Sequence, residues 1–153
     1  MGKILILLIS LIFSNITLYS QNKTLKGRVI SDQFDALPRV SITINDTTKV
    51  GETDLNGCFQ IDIPISVNKL SFSTVGTELA SIELTDRCNE IDIAMMLSCT
   101  CDFMTPKKVD KYRMKKFNKL PELHKEGFKK GIFKTEYACY TRYFKPNLYK
   151  NKN

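Results

Sequence analysis

Between Thr24 and Leu97 apolar and polar residues trade places at every second position, in short runs broken by turn residues. The segment 39–45 is the clearest: Val40, Ile42 and Ile44 fall on one side, Ser41, Thr43 and Asn45 on the other. Period two marks a strand with one buried face. Phe59 to Ile63 repeats the pattern, and 70–74 sets Leu70, Phe72 and Thr74 on one face. The segments 24–30, 48–53, 79–84 and 91–97 bring the expected strands to seven. Asp54-Leu55-Asn56-Gly57 has turn chemistry, with carboxylate and amide side chains that bond their own backbone and a glycine free to take positive φ. Strands spaced this closely, with no helical period among them, predict an all-β antiparallel sandwich. Its core would take Val29, Val40, Ile42, Ile44, Phe59, Ile61, Ile63, Leu70, Phe72, Ile82, Leu84, Ile91 and Ile93. Each such side chain contributes ~1.5–3 kcal/mol before chain entropy is subtracted.

After Ser98 the alternation stops. A helix is expected over 106–120, with Val109, Tyr112, Lys116 and Leu120 near one stripe, Pro106 in the first turn and Pro121 as its stop. The segment 134–144 reads as strand-like or turn. The many aromatic residues of 118–153 argue against a plain disordered tail.

Residues 1–20 read as a secretory signal peptide: Lys3, an apolar run from Ile4 to Phe13, then small and polar residues with cleavage after Ser20. The chain thus divides into the signal at 1–20, a sandwich at 21–98 and an extension at 99–153. No later apolar run is long enough to span a membrane. The net charge of +7 is unevenly spread. Residues 21–98 carry 7 Lys/Arg against 11 Asp/Glu (net −4), and residues 99–153 carry 15 against 5 (net +10). Either the extension lies on its own acidic sandwich or it meets an acidic partner. An exported protein rarely meets nucleic acid. The partner would be another envelope protein or an anionic envelope surface. Its contacts would be Arg113, Lys115, Lys116, Lys129, Lys130, Tyr140, Arg142 and Tyr143.

The five cysteines are Cys58, Cys88, Cys99, Cys101 and Cys139, so at least one has no partner within the chain. Cys99 and Cys101 are expected to point apart in an extended segment and not to bond each other. Cys101 with Cys139 is the candidate disulfide, and Cys58 is expected to be a buried small residue.

The ordered motifs resemble the carboxypeptidase regulatory-like domain, a transthyretin-like β-sandwich. Gly27-Arg28-Val29 with Leu37-Pro38-Arg39-Val40 matches its opening. Thr53, Asp54, Gly57 and Phe59 match its turn, and Leu70, Phe72, Ser73 and Gly76 match a later strand. The resemblance runs from about Thr24 to Met96. Thr77 stands where the family usually has tyrosine, and Asp46-Thr47 where Gly-Thr is common. It implies a seven-stranded Greek-key sandwich; the basic, partly helical C-terminal extension at 99–153 is read from its own residues and lies outside the resemblance. In exported bacterial proteins this domain often precedes a TonB-dependent receptor barrel, and residues 99–153 do not read as one. The resemblance therefore implies a non-enzymatic accessory, binding or structural envelope protein. The alternatives are a module associated with such a receptor, or a small secreted enzyme with an unrecognised site.

Reaction chemistry is hard to assemble. His124 is the only histidine, expected at the surface, and a zinc peptidase needs three or so His/Glu/Asp ligands. A serine or cysteine nucleophile would have only His124 as a base. No catalytic residue, cofactor or metal is therefore assigned.

Overall fold

The computed structural model describes residues 21–85, 88–99, 101 and 103–147. The expected signal peptide lies outside them. Among the described residues the strands are β1 (Asn22–Ser31), β2 (Ser41–Ile44), β3 (Thr48–Glu52), β4 (Cys58–Pro64), β5 (Lys69–Ser73), β6 (Ala80–Leu84), β7 (Glu90–Met95) and β8 (Tyr140–Arg142), with one helix, α1 (Pro106–Lys129), before β8. Two sheets form, in the orders β4-β1-β7 and β3-β2-β5-β6-β8.

Two expectations are corrected here. The described residues form eight strands, not seven, because residues after α1 return and pair with β6, Leu84 opposite Tyr140 and Ile82 opposite Arg142. The sandwich is also not wholly antiparallel. β1 runs antiparallel to β4 but parallel to β7, with Val29 opposite Ile93. Alternation reports which face is buried, not strand direction, so period two could not reveal this.

The alternation itself assembles the core. Leu25, Val29, Val40, Ile42, Phe59, Ile61, Ile63, Leu70, Phe72, Ile82, Ile91 and Ile93 are buried between the sheets, and Ile44 packs at the margin. The Phe59 and Phe72 rings lie 5.7 Å apart in a tilted pair. The turn at Asp54 forms as its chemistry predicts: the carboxylate Oδ1 accepts from Asn56 N and Cys58 N, both at 2.8 Å. Gly57 takes φ 75°, and a Cβ there would stand 2.4 Å from the Val29 carbonyl. Thr53, just before it, is buried and bonds twice, donating to Leu37 O at 2.7 Å and accepting from Val40 N at 2.9 Å.

α1 outruns its expected end by nine residues, with Pro121 inside it. A proline removes one helical hydrogen bond and costs ~3 kcal/mol. Tertiary packing holds the second half in place. Leu120, Leu123 and Phe133 gather with Ile30 and Ala94 on the outer face of the three-stranded sheet. Phe133 folds back over Gly127, where a Cβ would approach its ring to 2.8 Å. The inward stripe is Arg113, Phe117, Leu120, His124 and Gly127. Tyr112, expected on it, is exposed.

The cysteines also depart from expectation. Cys139 bonds Cys88 (Cα–Cα 5.4 Å), so it ties the extension to the sandwich rather than to Cys101. Cys99 bonds Cys101 (Cα–Cα 5.2 Å). Side chains two apart on a strand share a face, and the 5.2 Å between these Cα atoms is shorter than the ~6.6 Å of an extended pair. Cys58 is a free, exposed thiol because β4 turns Phe59, Ile61 and Ile63 inward and Cys58, Gln60 and Asp62 outward.

Candidate functional site

The extension's charged residues fall into two sets. The first set is bonded to the sandwich. Arg113 forks onto Glu78, Nε to Oε1 at 2.7 Å and Nη2 to Oε2 at 2.9 Å, and donates to Asp110 at 2.8 Å. The Glu78 carboxylate, more than Asp110, holds this guanidinium above its ordinary pKa. Lys116 pairs with Asp32 at 2.7 Å, and Lys134 with Glu90 at 2.8 Å. Asp92 is buried, and its Oδ2 accepts the Lys134 backbone N–H at 2.7 Å.

Tyr140 and Arg142 belong to the same set. β7 is an edge strand. Its Asp92 carbonyl accepts the Tyr140 hydroxyl at 3.0 Å, and its Ala94 carbonyl accepts Arg142 Nη1 at 2.8 Å. β8 therefore gives its backbone to β6 in one sheet and its side chains to β7 in the other. Burial pushes the Tyr140 hydroxyl up to about 12 and the Arg142 guanidinium below its ordinary value.

His124 is buried, not solvated as expected. Its Nε2 lies 3.0 Å from the Thr135 carbonyl, and its ring centroid 4.9 Å from that of Phe133. Burial lowers its pKa, against smaller opposing pulls from Thr135 and Asp92. The signal that would have revealed it is the 113, 117, 120, 124, 127 spacing, hidden by ending the helix at Pro121.

The second set faces outward. Lys107, Lys108, Lys111, Lys115 and Lys119 are all exposed. None has a carboxylate partner among the described residues. Steps of three and four place Lys108, Lys111, Lys115 and Lys119 along one side, over about 16 Å of helix. The first turn of α1 has no acidic residue. Lysines there oppose the positive end of the helix dipole, an arrangement that costs ~0.3–1 kcal/mol per charge. Of the other sequence candidates, Lys129 and Tyr143 are exposed. Lys130 pairs with Glu126 at 2.8 Å and sits 3.7 Å over the Phe34 ring. The structure thus joins Arg113, Lys116, Tyr140 and Arg142 to the sandwich and leaves Lys115, Lys129 and Tyr143 in solvent.

Between α1 and β8 lies a groove of about 310 Å³. Phe117, Leu120, Pro121 and His124 form the helix wall, Tyr140 and Arg142 the opposite one, and Glu136 to Ala138 also line it. Among the described residues no group of three His, Cys, Asp or Glu could hold a metal ion.

The strand order, the turn at Asp54 and the buried Thr53 coincide with a family match. The model of the CarboxypepD_reg-like domain family matches residues 25–100. The family is regulatory-like rather than catalytic and is typical of exported proteins. Such a domain is a binding or structural module. The match stops before α1, so the helix, β8 and the groove lie wholly or partly outside it. No curated protein matches the chain. No helix among the described residues is long and apolar enough to cross a membrane.

Proposed function

We propose that this is an exported, non-enzymatic envelope module that docks on an anionic surface through the lysine row of α1. The observation that carries this reading is the division of cations. Arg113, Lys116 and Lys134 neutralise carboxylates of the sandwich, while Lys107, Lys108, Lys111, Lys115 and Lys119 neutralise nothing within the described residues. Local helix stability disfavours cations in the first turn. A partner with negative charge reverses that balance. Each lysine at an anionic lipid surface contributes ~1 kcal/mol.

The test is sedimentation of the purified protein with vesicles of phosphatidylglycerol and of phosphatidylcholine. Binding is expected only to the anionic vesicles. It should fall as salt rises from about 0.1 M to about 1 M, which shortens the screening length from about 10 Å to about 3 Å. Replacing Lys111, Lys115 and Lys119 together by Gln should weaken it ~100-fold without changing the melting temperature. Binding that ignores charge and salt would sink the reading. Salt-sensitive retention on whole envelopes but not on lipid would favour the second reading, an acidic protein such as a receptor barrel.

A further inference from the structure

We propose that the groove between α1 and β8 is a binding site for a small monocarboxylate with an apolar body, its carboxylate pairing with Arg142. The proposal does not depend on the lysine row. The volume of about 310 Å³ sits at the small end of the ~300–1,000 Å³ range of ligand pockets. The walls offered by Phe117, Leu120 and Pro121 suit an alkyl or aryl chain.

Arg142 is the unusual group there. A guanidinium has five N–H donors. Nη1 donates to the Ala94 carbonyl, and the cation stands 5.9 Å from the Phe117 ring centroid. No carboxylate lies in ion-pair distance of it among the described residues, whereas Arg113 has two. Glu78 acts on this cation through space without reaching ion-pair distance, and a half-buried cation so weakly compensated is disfavoured against one that meets an anion directly. Its depressed pKa has that same origin in burial. His124, on the helix wall, is held towards its neutral form and does not compete for the anion.

The groove also limits charge. Beyond Arg142, Lys125 and Glu136 line it with one charge of each sign, so neither sign is favoured away from Arg142. One carboxylate at Arg142 is favourable, whereas a second at the other end of the ligand loses its water to the apolar walls of Phe117, Leu120 and Pro121. An uncharged ligand of the same length gains the apolar contact but leaves Arg142 as it was.

Titration calorimetry with octanoate, octanamide and octanedioate tests this on the whole chain. Octanoate should bind between about tenfold and about a hundredfold more tightly than either other probe, as charge-assisted hydrogen bonds do. Arg142→Gln should erase the preference for octanoate over octanamide. Because Arg142 also holds the Ala94 carbonyl, a second variant is needed in case β8 loosens. Ala138 is exposed where it lines the groove. Ala138→Trp should block entry and abolish octanoate binding with the melting temperature unchanged. Equal binding of acid and amide, no binding to the wild-type chain, or octanoate binding that survives Ala138→Trp would each overturn the proposal.

Discussion

The sandwich buries seventeen apolar side chains in one continuous cluster, whereas the patch beneath α1 buries three, of which only Phe133 belongs to the extension. The sandwich is held by area: many side chains, each replaceable in kind, contribute to one dry interior. The extension is held by a few individual contacts, the Arg113–Glu78 fork, the Lys116–Asp32 pair, the two β8 side chains on β7 and the Cys88–Cys139 bond. Surface held by area tolerates substitution, and surface held by points fails one point at a time.

Three measurements can break or sharpen that contrast. Phe72→Ala should have the largest effect, ~3–5 kcal/mol in denaturant melts, because a fully buried ring leaves a cavity. Both regions should unfold together in that variant, since α1 and β8 rest on the sheets. Cys139→Ser should cost less, ~2–4 kcal/mol, the usual range for a lost disulfide. It should act on the extension first, so limited proteolysis would cut between 130 and 147 while the sandwich stays intact. Simultaneous loss of both regions would show that the contrast is not one of stability.

Acid should give the smallest effect. A buried imidazole that resists protonation lets the unfolded chain take up the proton first, below its ordinary pKa of about 6.5. Stability is therefore full above that pH and falls as pH drops below it. The sandwich carboxylates Asp46 and Glu52, held down by Lys69 and Lys49, act only near pH ~4. A melting-temperature profile should thus decline first through the histidine window, and His124→Gln should remove that decline. A profile unchanged by His124→Gln would place the acid sensitivity elsewhere.

This difference in physics also explains what could be read in advance. All seven sandwich strands, most of their inward residues and the turn at Asp54 were legible because alternation and turn chemistry are local; Leu25, Val67, Ala80 and Met95 joined the core unannounced, and Ile44 stayed at its margin. The parallel pairing of β1 with β7 was not, because it depends on residues about sixty apart. In the extension a local rule misled: Pro121 breaks isolated helices, yet packing by Leu120, Leu123 and Phe133 carries α1 past it. The charge split between the two regions was visible, and three ion pairs now join them. Which cations would stay outside depended on the helix phase, and that phase was set by residues beyond the proline.

β8 comes late in the chain, yet it closes the corner where the two sheets meet. Until it docks, the outer borders of β6 and β7 stand uncovered. Bare strand borders are where neighbouring polypeptides attach to one another. A chain cut short between Met95 and Tyr140 would therefore leave the β6 border bare and the sandwich prone to aggregation.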